Sequence, residues 1–381
     1  MQKRKNIFLS IISLVLILTF FVGKNGYLSA SALTVSADSA ILIDGKSGEV
    51  LYEKNSAKVR PMASTTKIMT AVVAIEDGNL DRIVRIPHDA VGIEGSSIYL
   101  CEGEELTLRQ LLYALLLSSA NDAAVAIAID IGGSIEAFAE LMNAKATELG
   151  LNDTHFDNPH GLDSKYHYTT AKDLASLAAY AMSMPEFRSI VSKYKATIPM
   201  QGNESGRLVV NHNKLLRSYS GAIGVKTGFT KKSGRCLVSA AERDGALLIA
   251  VTLSAPNDWR DHTTLLDFGF SNYESVNLSN IAIDFSIPVV SGCSDSVVCG
   301  IDRGIAVLLP RARGNVICKI EADRFLYAPV DKNEAVGSAR FYCDGKEIAG
   351  AKLTALERVE LKTQKYSFWD KIKNFFGIYL S

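Results

Sequence analysis

Two strand–turn–strand segments bracket a long helical stretch, and that bracketing constrains the fold more than any other feature of the chain. The first, "AILIDGKSGEVLYEKN", has apolar runs on either side of Asp44-Gly45 and Gly48. The second, "GRCLVSAAERDGALLIAVTLSA", reads as a hairpin turning at Asp244-Gly245. Between them lie "TTKIMTAVVAIED", "LRQLLYALLLSSANDAAVAIAIDI", "IEAFAELMNAKATELG" and "AKDLASLAAYAMSM", which read as helices. The third ends at Gly150 and the fourth stops before Pro185. Strands at both ends with helices between predict one α+β domain over residues 33–275.

The texture changes after "LLDFGFSNYESV". Short β-branched runs separated by turns follow ("FSIPVV", "SVVCGI", "IAVLLP", "NVICKIEA", "SARFYCDGKEIAG"), and they predict a small all-β module over residues 276–361. Residues 362–381 differ again. Phe368, Trp369, Ile372, Phe375, Phe376, Tyr379 and Leu380 share one helix face, with Lys371 and Lys373 off it. Such a helix is too short to span a bilayer and suits its surface; the alternative is a helix docked on the β module.

The N-terminus reads as a secretory signal over residues 1–32. Lys3, Arg4 and Lys5 precede an uncharged apolar run from Ile7 to Val22, and small residues offer cleavage after Ala32 or Ala37. The run falls short of the roughly 20 residues that an uncleaved spanning anchor needs. On either reading the protein works outside the cytoplasm. The 41 basic and 41 acidic side chains cancel, which leaves no field for nucleic acid. Six cysteines show neither CxxC nor a Cys/His spacing that suits zinc, and their pairing is not readable from sequence.

Ser64 and Lys67 stand one helical turn apart in "PMASTTKIMTAVVAIE". The spacing alone is cheap: serines favour helix starts, lysines snorkel, and "SKYK" at Ser192–Lys195 matches too. Two further motifs follow in order. "SSANDAA" contains Ser119 and Asn121, and "GVKTGFT" contains Lys226, Thr227 and Gly228. SxxK at a helix start, SxN between helices and KTG on a strand together form the signature of penicillin-binding proteins and class A β-lactamases.

The chain resembles the low-molecular-mass penicillin-binding proteins, the serine D-alanyl-D-alanine carboxypeptidases. "RPMASTTKIMTA", "GSSIYLCEGEELTLRQLLYALLLSSANDAA", "LNDTHFDNPHGLD", "GVKTGFT" and "NDWRDHTTLLDFGF" look like family blocks in family order. "LYAPVDKNEAVGSARFYCDGKEI" looks like the family's C-terminal β domain, and the final helix like its membrane anchor. The resemblance implies a β-lactamase/transpeptidase-like catalytic domain, an antiparallel sheet with helices. It implies removal of the terminal D-alanine from peptidoglycan pentapeptides on the outer face of the cytoplasmic membrane, with β-lactams as inhibitors and no cofactor or metal.

By that resemblance Ser64 is the nucleophile, Lys67 its base and Ser119 the proton relay to the leaving nitrogen. Asn121 holds Lys67 and the substrate amide. Lys226 and Thr227 suit the substrate carboxylate, and Gly228 lets the substrate backbone approach. The N–H groups of Ser64 and Phe229 form the oxyanion hole. Lys67 serves only if neutral, which burial and the charge of Lys226 both favour. Arg260, in "NDWRD", suits the carboxylate or a surface ion pair. A β-lactamase would need a deacylating Glu, and "ELGLN" at Glu148–Asn152 matches that string, but Glu148 falls in the last turn of a helix. A non-catalytic wall-binding scaffold is the other rival, and the intact motif residues argue against it.

Overall fold

The computed structural model describes residues 33–281, 285–301 and 304–363. The signal sequence expected above, and the C-terminal amphipathic segment from residue 364 on, lie outside those residues. Along the chain run β1 (Ser39–Asp44), β2 (Val50–Lys54), α1 (Lys67–Asp77), β3 (Ile83–Arg85), β4 (Glu105–Thr107), α2 (Leu108–Leu117), α3 (Asn121–Gly132), α4 (Ile135–Glu148), α5 (Ala171–Ser183) and α6 (Pro185–Val191). There follow β5 (Lys195–Met200), β6 (Asn203–Val210), α7 (Leu215–Ser218), β7 (Ala222–Thr230), β8 (Gly234–Arg243), β9 (Ala246–Leu253) and α8 (Asp258–Asn272).

The two bracketing hairpins meet in one antiparallel sheet of order β2-β1-β9-β8-β7. Its centre is buried on both faces, and the strand period of two sorts the side chains. Ile41 and Ile43 of β1, with Leu247, Ile249 and Val251 of β9, join the larger core. Ala40 and Leu42, with Leu248 and Ala250, face the other way onto Leu265 and Leu266 of α8. The result is a three-layer arrangement with α1–α6 on one side and α8 on the other.

Helix α1 lies inside the helical layer: every residue from Lys67 to Ala74 is buried. A helix apolar all round belongs in a core, and only its last turn, ending at Gly78, reaches solvent. Helix α2 opens with a capping box. Thr107 Oγ1 accepts from Gln110 N at 3.2 Å, and Gln110 Oε1 accepts from Thr107 N at 2.8 Å. Pro185 takes the first position of α6, where its missing N–H costs nothing.

Beyond α8 the chain forms β10 (Tyr273–Asn277), β11 (Phe285–Val290), β12 (Ser296–Ile301), β13 (Ala306–Pro310), β14 (Val316–Ala322), β15 (Leu326–Tyr327), β16 (Ala335–Cys343) and β17 (Lys346–Ala355). Six of these form one sheet, β14-β16-β17-β12-β11-β15, over its own core of Ile287, Val297, Leu353 and their neighbours. Strand β10 continues directly from α8 and pairs with β13, so the chain passes into the β module through a strand rather than a linker. All six cysteines are free. Among the described residues no helix is long and apolar enough to cross a membrane.

Candidate active site

Ser64 sits in a 3-10 turn, Ala63–Thr66, and Lys67 is the first residue of α1. The sequence predicted one face of an α-helix. In a 3-10 turn residues three apart eclipse, which brings the two side chains even closer into line. Lys67 Nζ lies 3.1 Å from Ser64 Oγ. It also donates to Asn121 Oδ1 and to the carbonyl of His160, both at 2.6 Å. The Asn121 amide cannot be reversed, because its Nδ2 donates to Glu94 O at 2.6 Å.

These contacts decide what Lys67 can do. A neutral amine has two hydrogens and one lone pair. Asn121 Oδ1 and His160 O only accept, so they take both hydrogens, and the lone pair is left for the Ser64 hydroxyl. The electrostatics agree. Burial, then the charge of Lys226, holds the Lys67 amine well below the ordinary lysine range, against a smaller opposing pull from Asp122. Burial lowers Lys226 to about 7, and its Nζ donates to Thr227 O at 2.9 Å.

Ser119 occupies the break between α2 and α3 with φ of +58°, a conformation few non-glycine residues adopt. Tertiary contacts hold the break open. Ser118 Oγ accepts from Val210 N and Leu117 O accepts from His212 N, both at 3.2 Å, so the end of β6 takes the place of the next helical turn. Asn121 then starts α3 with its side chain free for Lys67. Next to it the buried carboxylate of Asp122 accepts from Ser97 Oγ, the N–H groups of Ile98 and Leu100, and its own neighbour Ala123. That network fixes the loop bearing Ser96 at the cleft and an exposed Tyr99.

Strand β7 is the free edge of the sheet and carries Lys226, Thr227, Gly228 and Phe229. A Cβ on Gly228 would sit 3.0 Å from Ser64 N and 3.2 Å from Ala63 Cβ, so only glycine lets this edge meet the Ser64 turn. A cleft of about 360 Å³ opens there, lined by Ser64, Ser96, Ser119, His212, Lys214, Thr227, Gly228, Phe229, Arg235, Asp258 and Trp259. Lys67, Asn121 and Lys226 stand buried behind this lining.

Arg260 is the exception among the sequence-predicted residues: it is exposed on α8 and does not line the cleft. Arg235 does. It is paired in register with Phe229 across β7 and β8, and its Nη1 lies 3.7 Å from Asp258 Oδ2. Burial and the charge of Lys226 lower His212, which also faces the cleft. Glu148, the acid of the "ELGLN" string, ends α4 in an ion pair with Lys145 at 2.8 Å and takes no part in the cleft. The decoy "SKYK" is not on one helix at all: Ser192 follows α6 and Lys195 begins β5.

The family model described as D-alanyl-D-alanine carboxypeptidase matches residues 27–257, and that of the penicillin-binding protein 5 C-terminal domain matches residues 284–361. D-alanyl-D-alanine carboxypeptidase DacF of Bacillus subtilis is 33% identical over 359 residues, covering 90% of this chain and 92% of the relative. DacA of Escherichia coli is 34% identical over 344 residues, covering 85% and 84%. Among solved structures, penicillin binding protein 5 from Haemophilus influenzae superposes with a TM-score of 0.68 at 29% identity, covering 86% of this chain and 98% of that one. The peptidoglycan synthesis regulatory factor (PBP3) from Streptococcus pneumoniae does so with a TM-score of 0.73 at 25% identity, covering 86% and 100%.

Proposed function

Because this chain belongs to the D-alanyl-D-alanine carboxypeptidase family of serine-type enzymes, we propose that it removes the terminal D-alanine from peptidoglycan stem peptides through an acyl-enzyme on Ser64. The observation that carries this reading is the approach of Lys67 Nζ to Ser64 Oγ, 3.1 Å, with both amine hydrogens of a neutral Lys67 already committed elsewhere. Serine is a poor nucleophile without a base, and here the base is adjacent and buried.

Each step then has a group to perform it. Ser64 Oγ attacks the carbonyl of the penultimate D-alanine as its proton passes to Lys67. The developing oxyanion is received by the N–H groups of Ser64 and Phe229. The C–N bond breaks, and Ser119 relays a proton to the departing amine of D-alanine. Water then hydrolyses the ester on Ser64. Asn121 keeps Lys67 and the substrate amide in position, and Gly228 admits the substrate backbone to the edge of β7. Lys226 and Thr227 receive the substrate carboxylate, with Arg235 rather than Arg260 as the supporting cation. A β-lactam follows the first step and stalls as the acyl-enzyme.

The protein is exported and acts on the wall side of the cytoplasmic membrane, to which residues 362–381 attach it as an amphipathic helix. Removing the chain after Lys365 is expected to release the protein from membranes with catalysis intact; continued sedimentation with membranes would reject the anchor. Mass spectrometry after incubation with penicillin tests the chemistry. A stable adduct on Ser64, absent from Ser64→Ala, is expected. Rapid hydrolysis of the penicillin would favour a β-lactamase, and no adduct would favour a non-catalytic scaffold.

A further inference from the structure

The peptide unit that joins Ala63 to Ser64 is held at its carbonyl end by a relay with no place in the reaction described so far. Thr66 Oγ1 donates to Ala63 O at 2.8 Å, and Thr66 Oγ1 is 2.7 Å from His167 Nε2. On its other side the ring accepts: Asp157 N donates to His167 Nδ1 at 3.0 Å. That last contact fixes the tautomer. A neutral imidazole whose Nδ1 accepts carries its proton on Nε2. His167 therefore donates to the Thr66 hydroxyl, whose own hydrogen goes to Ala63 O. Every link runs one way, from the ring toward the carbonyl.

The relay is sealed. Thr66 is wholly buried and His167 is 4% exposed, edge-on to Phe156. Burial lowers the His167 pKa to about 4, so the ring is neutral at pH 7. On the other side of the carbonyl, a Cβ on Gly161 would fall 2.0 Å from Ala63 O, so that glycine covers it at closest approach. Ala63 has φ of +48°, which L-residues seldom adopt unless the surroundings impose it. The peptide plane is thus set by its partners and not by local preference.

The other end of the same peptide is Ser64 N–H, which faces the cleft beside Gly228. We propose that Thr66 and His167 are positioning residues for the oxyanion: by binding the Ala63 carbonyl they aim the Ser64 N–H and polarise it for the charge that develops on the substrate. A peptide whose carbonyl accepts a hydrogen bond is a better donor through its nitrogen, since bonded dipoles reinforce one another. Aim matters more, because a preorganised donor pays no reorganisation cost during the reaction. The inference rests on the reading of Ser64 as the nucleophile whose own N–H lines the oxyanion hole.

The test is the rate of Ser64 acylation by a penicillin in full-length wild type, Thr66→Val, Thr66→Ser and His167→Leu, separating the non-covalent binding constant from the acylation rate constant. Thr66→Val keeps the shape of the residue and removes the hydroxyl. Its acylation rate constant is expected to fall about 10- to 100-fold, approaching the loss of an oxyanion donor, with binding altered less than about twofold. Thr66→Ser restores the hydroxyl and is expected to stay within about threefold of wild type. His167→Leu leaves the Thr66 hydroxyl in place and is expected to fall by less, about three- to tenfold, which also keeps the test open if Thr66→Val does not fold. A merely structural role would lower the fraction of protein that can be labelled and leave the rate of the labelled fraction unchanged. Wild-type rate constants in Thr66→Val and His167→Leu overturn the inference while leaving Ser64 as nucleophile. An unlabelled Ser64 in the wild-type chain overturns the nucleophile assignment, and the inference with it.

Discussion

Asn121 Oδ1 accepts from Lys67 Nζ at 2.6 Å while the Nδ2 of the same amide is tied to Glu94 O, so Asn121 presents an acceptor and nothing else to the buried lysine. With the His160 carbonyl it takes both hydrogens of the neutral amine and leaves the lone pair to Ser64. An amide does this without adding charge. A carboxylate in its place would favour the protonated amine, which is useless as a base.

Asn121→Asp is therefore expected to raise the pKa of Lys67. Acylation by penicillin should be lost at neutral pH and partly recover in alkali as Lys67 gives up its proton. The pH profile of the acylation rate measures this. An acid limb at the wild-type position would contradict the role given to Asn121.

The Lys226 amine is lowered by burial to about 7, from an ordinary value of 10.5. Between those values the unfolded chain holds a proton that the folded chain has released, so this residue makes stability rise with pH. The cost is complete below about pH 7 and fades toward about pH 10.5. Lys226→Met removes it. The variant should be the more stable protein at pH 7, with its advantage shrinking by at most about 1.4 kcal/mol per pH unit toward pH 10, while acylation is impaired. Urea unfolding of both proteins across that range gives the difference; a difference flat with pH would contradict a Lys226 amine lowered by burial.

Arg235 lines the cleft and Arg260 does not. Arg235→Ala is expected to raise KM for a peptide ending in a free carboxylate about 10-fold or more, with kcat less affected, as for loss of a charged hydrogen bond. Arg260→Ala should leave both within about twofold, like most exposed substitutions. Steady-state kinetics of D-alanine release decides it, and the reverse ranking would restore Arg260.

The first described residues are stapled to the catalytic domain. Asp261 accepts from Ser36 N at 2.8 Å, Ser36 Oγ at 2.7 Å and Ala37 N at 2.9 Å, and Lys54 Nζ donates to the carbonyls of Val35 and Ala37. Cleavage after Ala32 keeps these contacts, and cleavage after Ala37 discards all of them. The exported protein is expected to begin at Leu33, and Asp261→Ala to cost about 1–3 kcal/mol. The intact mass of the secreted chain reports the start; a chain beginning at Asp38 would contradict it.

The relation between Ser64, Lys67, Ser119, Asn121 and Lys226 was legible because each motif has a spacing that survives without the fold. The bracketing hairpins were legible for a similar reason, since Asp-Gly turns and the apolar runs beside them are local signals. What escaped was non-local or carried by backbone. The His160 carbonyl that takes a hydrogen from Lys67 has no side-chain signature. The SxN motif placed "SSAN" between two helices, but what holds that break open, contacts from Val210 and His212, lies far along the chain. That Arg235 rather than Arg260 lines the cleft depends on the register of β7 against β8. The hairpin of β5 and β6 offered neither a clean period nor a turn dipeptide strong enough to predict it.

The most direct test of the account is release of D-alanine from a muropeptide ending in D-Ala-D-Ala, followed for the wild-type protein and for Ser64→Ala. The account predicts steady release by the wild type, blocked by prior exposure to penicillin, and none above background by Ser64→Ala. Release that survives the loss of the Ser64 hydroxyl would contradict it.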